Sequence, residues 1–354
     1  MPKLPPMDGY VNHAPHVVLL GAGASIASYL DWGKIGNPLP SMQGLVETLD
    51  LKDEIEKRGY KVEELNFEAF YDELSSSGKN PDLCQFIEEK VYNYFSELKL
   101  PDKPTIYDYL ILSLREKDII ATFNWDPFLI QAYMRSETVT KKRRPHLAFL
   151  HGNVSVALCY DCNVVGINGR LCSKCGHPLE PSKLLYPVKH KNYQENQFIK
   201  NEWDMLQHVM GNAYFLSVFG YSAPVTDVEA KKLMLEVWSS NEMLEFSEVE
   251  VIDILSREEL EPKWQDFFFS HHYMTKKDIF SSYLFEHPRR SCDAFASATL
   301  GVDPWHENPF PRFETLNELH DWVKPLIAEE EAYQENGVHF SGKPLAPNQP
   351  CSNK

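Results

Sequence analysis

The chain has 354 residues, 43% of them hydrophobic and 24% charged, with 35 Lys plus Arg against 51 Asp plus Glu and a net charge of −16. This length suits one large domain with a small insert, or two domains, and it buries a core without disulfides. The acidic balance suits nucleic-acid backbones poorly, and no apolar run approaches the roughly 20 residues of a membrane span. The opening MPKLPPMDGY has neither the charged start nor the apolar stretch of a secretory signal, so the expectation is a cytoplasmic protein with no nucleic-acid or membrane partner.

In chain order, residues 15–30 (PHVVLLGAGASIASYL) read as strand, tight turn and helix. Residues 31–40 hold Gly33, Gly36, Pro38 and Pro40 and read as a loop. From about 41 to 115 the pattern is helical and amphipathic, punctuated by Pro81, Pro101 and Pro104. A second buried strand covers 118–123 and runs into Asn124-Trp125-Asp126-Pro127. The run Lys141-Lys142-Arg143-Arg144 reads as a solvated turn, with a docking patch or localisation signal as the alternative. A third apolar run ends at His151-Gly152, and a cysteine-rich segment occupies 159–175.

Residues 212–220 and 248–254 read as two more strands, with a helix of the type EAKKLMLEVWSS between them. Beyond 265 the chain reads as helical and loop-rich, and 336–354 as a disordered tail. Strands alternating with helices, each strand closing on a Gly-, Asn- or Asp-rich loop, predict an α/β fold with a doubly wound, Rossmann-like parallel sheet. Ligands of such sheets bind at the carboxyl ends of the strands, and every polar motif here falls at one.

Four of seven cysteines stand at 159, 162, 172 and 175, while Cys84, Cys292 and Cys351 are scattered. Two Cys-x2-Cys knuckles supply the four thiolates of a tetrahedral Zn2+ site, with iron–sulfur or rubredoxin-type iron as the alternative metal. Sulfur at every position leaves the ion no open site, so Cys159, Cys162, Cys172 and Cys175 imply a structural zinc ribbon, with His177 surplus.

Gly21-Ala22-Gly23-Ala24-Ser25 suits a turn that lets backbone approach a pyrophosphate at a helix N-terminus. Ile26 stands where the usual fingerprint has its third glycine, and a tight turn without ligand is the alternative. Thr122, Asn124 and Asp126 alternate onto one side of an extended segment, though Asn and Asp also cap turns. His151 is the side chain suited to proton transfer near neutral pH. Gly220 and Ser222 offer a small residue and a hydroxyl to phosphate or ribose, and Asp253 a carboxylate to ribose hydroxyls. Asp227 reads as a helix cap as readily as a ligand contact.

Taken in order, GAGAS, T-x-N-x-D, His-Gly, the paired cysteines and G-x-S resemble the sirtuin superfamily over residues 16–255. The resemblance implies NAD+ as substrate. Ala22, Gly23 and Ser25 would line its pyrophosphate and nicotinamide ribose, with Gly21 and Thr122 in the same motifs joining the nucleotide-binding set. Asn124 would contact the nicotinamide ribose or order an attacking water, Asp126 would meet the carboxamide, and His151 would be the general base. Gly220, Ser222 and Asp253 would hold the adenosine side.

Departures mark the subtype. Ile26-Ala27-Ser28-Tyr29-Leu30 replaces the G-I-x-x-F-R element of protein-deacylating sirtuins, Phe123 replaces Gln, and Leu184–Val188 lacks the Phe-Gly-Glu segment that holds an acyl-lysine peptide. These changes are similar to the sirtuin-like NAD hydrolases of bacterial anti-phage defence, while the ribbon keeps the deacylase reading open. The expectation is an NAD+ glycohydrolase that depletes NAD and is inhibited until triggered, with a homo-oligomer and/or a protein activator such as a defence-system ATPase as its partners. Alternatives are a protein deacylase or ADP-ribosyltransferase, and a non-catalytic NAD or ADP-ribose sensor. The expected divisions are a catalytic domain (1–40 with 104–330), an inserted helical subdomain (41–103), the zinc ribbon (155–185) and the tail (336–354).

Overall fold

The computed structural model describes residues 14–31, 39–40, 44–62, 65–140, 142–188, 191–221 and 227–335. Ser222, Lys141, Cys351, most of the expected loop 31–40 and the expected tail 336–354 lie outside these described residues.

The strands are β1 (His16–Leu20), β2 (Ile119–Thr122), β3 (His146–Phe149), β4 (Val156–Cys159) and β5 (Val164–Ile167). They continue with β6 (Glu180–Pro181), β7 (Phe215–Phe219), β8 (Glu248–Ile252) and β9 (Tyr273–Lys276). Six form one sheet in the order β3-β2-β1-β7-β8-β9, with every neighbouring pair parallel. The expected doubly wound architecture is therefore the observed one. Every residue of β1, β2, β7 and β8 is buried, as continuous apolar runs become when helices cover both faces of a parallel sheet. The chain winds outward from β1 through β2 to β3, then returns to β7 on the other side of β1. The switch point lies between β1 and β7, where doubly wound sheets open a crevice at the strand carboxyl ends.

The sixth strand is a correction. The region beyond 265 was expected to be helical and loop-rich, yet Tyr273–Lys276 pairs with β8. It has only four residues, all half-buried on the sheet edge, too few for an alternating pattern to stand out.

The helical stretch builds its own apolar cluster, with Leu45, Leu51, Ile55, Phe67, Leu74, Leu83, Ile87 and Val91 at its centre. Trp125, Val154 and Leu184, from the loops after β2 and around the ribbon, belong to the same cluster. Hydrogen bonds tie it down: Asn168 Nδ2 donates to Tyr92 Oη at 2.6 Å, and Tyr186 Oη to the Glu88 carbonyl at 3.2 Å. The helices thus pack against the base of the three-stranded ribbon sheet β5-β4-β6.

Within the basic run, Arg143 and Arg144 serve the fold. Arg143 pairs with Glu116 and Glu331, and Arg144 lies 3.9 Å over the Tyr133 ring and pairs with Glu137.

Candidate functional site

Parallel register sets the site. Leu20 pairs with Thr122, Thr122 with Phe149, and Leu20 with Phe219. Gly21, Asn124, His151 and Gly220 therefore follow the last rungs of β1, β2, β3 and β7, on one rim of the sheet. Two of those loops touch backbone to backbone: Gly21 N–H donates to the Phe219 carbonyl at 3.1 Å, and Gly23 N–H to that of Gly220 at 2.9 Å. A Cβ on Gly21 would lie 2.5 Å from the Gly220 oxygen, and one on Gly23 2.7 Å from the Gly220 Cα. The glycines at 21 and 23 thus allow two strand-end loops to cross, a use the motif alone did not reveal. Gly220 takes φ +62° at the crossing, where a side chain is strained. Ala22 opens the helix Ala22–Asp31 in an exposed position.

The segment after β2 alternates its side chains between two surroundings. Phe123 enters the main core and Trp125 the helical cluster, which holds Asn124 and Asp126 in the rim between them. Asn124 Nδ2 donates to the Gly21 carbonyl and to Ser25 Oγ, both at 2.9 Å, with Tyr107 Oη at 3.3 Å. Ser25 Oγ donates to Asp126 Oδ2 at 2.6 Å and lies 2.5 Å from Tyr107 Oη. Asp126 Oδ1 accepts from Phe128 N–H at 3.1 Å. Burial raises the Asp126 carboxyl to about 6 despite those hydrogen bonds. Thr122 Oγ1 accepts from Asn124 N–H at 3.0 Å, bracing the turn. Asn153 braces it from the next loop, donating to the Asp126 carbonyl at 2.7 Å.

His151 sits among aromatic rings. Phe123 meets it edge-on at 5.0 Å between centroids, Tyr193 lies parallel at 6.0 Å, and Phe123 stacks on Tyr221 at 4.2 Å. His151 Nε2 is 3.2 Å from Tyr193 Oη. The imidazole is 6% exposed, and burial, reinforced by the nearby Lys191 ammonium and opposed by Asp227, lowers its pKa to about 3. It is a neutral imidazole at ordinary pH. Behind it Lys191 Nζ pairs with Asp227, whose other oxygen accepts from Tyr221 Oη at 3.2 Å. Asp227 therefore makes no side-chain cap for the helix Val228–Trp238; its charge goes to Lys191.

Gly220 and Asp253 stand at the ends of β7 and β8. Asp253 N–H donates to the Lys276 carbonyl, and its Oδ1 accepts from Leu255 N–H at 3.0 Å, so the carboxylate braces its own turn and stays half-buried. The rim thus holds Gly21, Ala22, Gly23, Ser25, Thr122, Asn124, Asp126, His151, Gly220 and Asp253. Ser25, Asn124 and Asp126 meet directly, whereas His151 has a separate set of neighbours. Sequence reading missed Tyr107, Asn153, Lys191 and Tyr193. Tyr107, Lys191 and Tyr193 lie on segments without a motif, and Asn153 follows the His151-Gly152 motif without belonging to it; the Thr105 and Asp108 capping pair marks only the start of the helix that carries Tyr107.

The zinc ligands form a separate centre. One sulfur from each of Cys159, Cys162, Cys172 and Cys175 lies within 4.8 Å of the others, as four thiolates around one tetrahedral ion require. Asn163, Gly169 and Gly176 take positive φ in the turns, and the Gly176 N–H donates to the Cys172 carbonyl at 2.9 Å. The backbone N–H groups of Cys175 and Lys174 hold the Cys172 thiol down to about 6, while the Cys175 thiol and burial push that of Cys162 up to about 12. His177 is exposed and outside the cluster. The residues fit a structural Zn2+.

No family model matches the chain, and no curated protein matches it. Among solved structures it is similar to a Sir2 homolog–NAD complex, at 17% identity and TM-score 0.39, covering 84% of this chain and 93% of that one. A Sir2–p53 peptide–NAD+ complex and a Sir2 bound to acetylated peptide each give 15% identity and TM-score 0.38, covering 83% of this chain and 97% of theirs.

Proposed function

We propose that the chain hydrolyses NAD+ to nicotinamide and ADP-ribose, with Asn124 and His151 as its catalytic residues. The observation that supports this best is the state of those two side chains. Asn124 spends its N–H donors on the protein and, among the described residues, no donor takes its Oδ1, while His151 is held neutral one strand away. Cleaving the bond between nicotinamide and ribose develops an oxocarbenium-like centre, which needs an oriented nucleophile more than a strong one. Nicotinamide leaves with the bonding pair, and a water whose O–H is held by Asn124 Oδ1 attacks the ribose carbon. His151 takes the proton that water gives up, directly or through a ribose hydroxyl. Ala22, Gly23 and Ser25 at the helix start would face the pyrophosphate and ribose, Asp126 the carboxamide, and Gly220, Ser222 and Asp253 the adenosine side.

Water is favoured over acyl-lysine as acceptor because Phe123, Tyr193 and Tyr221 crowd the imidazole, leaving it 6% exposed. Such an activity depletes NAD, and we place it in anti-phage defence, restrained until oligomerisation or an activating partner such as an ATPase releases it. The zinc would hold the ribbon against the helical cluster and takes no part in the chemistry.

The test is nicotinamide release from NAD+ by the purified chain, with and without an acetylated peptide. Release without peptide, abolished in Asn124→Ala and His151→Ala, is the expected result. Release only with peptide would transfer the assignment to acyl or ADP-ribosyl transfer. Binding of NAD+ without release, alone or with candidate partners, would mark a sensor.

A further inference from the structure

We propose that Tyr107 is a positioning residue that locks the orientation of the Asn124 amide through a one-way hydrogen-bond relay; this rests on the hydrolase reading above. Tyr107 lies in the helix Ile106–Ser113, whose start is fixed by Thr105 and Asp108 capping one another. Arg135 holds Asp108 from the helix Phe128–Arg135, with Nε donating to Oδ1 at 3.0 Å. The phenol is 1% exposed and packs 6.0 Å from the Phe128 ring.

The direction of every bond follows from what each atom can do. The Asp126 carboxylate only accepts, so the single Ser25 hydroxyl proton goes to it. Ser25 Oγ must then accept from its other neighbours, Tyr107 Oη at 2.5 Å and Asn124 Nδ2 at 2.9 Å. Tyr107 has spent its proton on Ser25 and offers only a lone pair to Asn124 Nδ2 at 3.3 Å. The Gly21 carbonyl likewise only accepts, and it takes the remaining Nδ2 hydrogen at 2.9 Å. Three acceptors surround Nδ2, so a flipped amide would set Oδ1 against three lone pairs. In the unflipped amide Oδ1 meets no donor among the described residues, which leaves it free to accept from a bound water.

Tyr107→Phe removes one oxygen and keeps the ring. Without it Ser25 Oγ loses a donor and Asn124 an acceptor, and the amide gains freedom to turn. At saturating NAD+ we expect nicotinamide release to fall about tenfold with KM changed less than about twofold, the signature of a lost transition-state arrangement. The melting temperature should stay within about 3 °C, the scale of a sub-kcal/mol change in a chain this long. Tyr109→Phe, on the same helix but bonded to the Pro311 and Phe313 backbone, should leave release unchanged. A crystal structure of the Tyr107→Phe variant should show the Asn124 amide displaced from Gly21 and Ser25.

Unchanged release in Tyr107→Phe would overturn the proposal, as would a rise in KM with kcat intact. A fall in release accompanied by a large loss of melting temperature would assign Tyr107 a structural role and overturn it too. If the wild-type chain releases no nicotinamide, the hydrolase reading fails by itself. The crystal structure then decides about Tyr107: a displaced amide upholds the positioning role, and an unmoved one rejects it.

Discussion

Two buried histidines sit at opposite ends of the sheet. His16 opens β1 at the amino end, and burial, opposed by Asp118, lowers its pKa to about 3; His151 at the carboxyl end is lowered as far. Their partners differ. Both ring nitrogens of His16 are engaged, Nδ1 with Ser291 Oγ at 2.7 Å and Nε2 with Ser217 Oγ at 2.8 Å. His151 has one hydrogen bond from its ring, at Nε2 to Tyr193, among the described residues. The same contrast runs through the surroundings. At the amino end Arg289 grips Glu330 with two hydrogen bonds of 2.7 Å, and Arg290 adds a third at 2.6 Å. At the carboxyl end Asn124 Oδ1 has no donor among the described residues. Burial alone does not mark a site: saturated polar groups hold a fold together, and a residual valence on a fixed group is available for chemistry.

Four experiments test that contrast, the largest effect first. Glu330→Gln leaves two buried guanidiniums short of charge, and breaking such a pair should cost about 3–5 kcal/mol in chemical denaturation. Burial opposes the ionised Glu330, but Arg289 and Arg290 hold its carboxyl down to about 2, so this loss should persist across the neutral range. The remaining folded protein should still release nicotinamide at the wild-type rate.

Acid should strike both histidines alike. Each takes a proton near 6.5 when unfolded and only near 3 when folded, so stability is present above 6.5 and is lost as pH falls toward 3. Between pH 6.5 and 4.5 each should contribute about 2 kcal/mol of that loss, as the slope approaches about 1.4 kcal/mol per unit. His16→Gln should flatten the dependence by one histidine's share, read from denaturant midpoints at the two pH values.

Asp126→Asn should act in the opposite direction. A carboxyl raised from 3.8 to about 6 favours folding while protonated, and that advantage disappears as pH rises through 6. Removing the charge should therefore stabilise the chain by about 1–3 kcal/mol at pH 8 and do nothing at pH 3.5. Nicotinamide release should drop at every pH. The wild-type rate should show an acid limb near 6, absent from the variant's residual activity. The smallest stability effect belongs to His151→Gln, expected within about 1 kcal/mol because a single 3.2 Å bond is at stake, yet with nicotinamide release abolished.

Much of the rim was legible in advance for one physical reason. A strand end, its turn and the first helical turn are contiguous in sequence, so Gly21 to Ser25, Thr122 to Asp126 and His151-Gly152 each announce themselves within a few residues. The zinc knuckles are more local still. What could not be read was any partner brought in from a distance. Ser25 and Tyr107 are 82 residues apart, and Arg289 and Glu330 are 41 apart. Asp227 read equally as a cap or a ligand contact from its neighbours in sequence; Lys191, 36 residues earlier, takes it instead.

By itself the sequence determined the doubly wound sheet, the four zinc ligands and which rim of the sheet carries the polar residues, because periodicity and short spacing encode all three. Tertiary structure alone decided that Gly21 and Gly23 face Gly220, that β9 extends the sheet and that the Tyr107 phenol meets Ser25 and Asn124. Those features depend on which loops cross and on which atoms can only accept a hydrogen bond, and both are settled when distant segments pack.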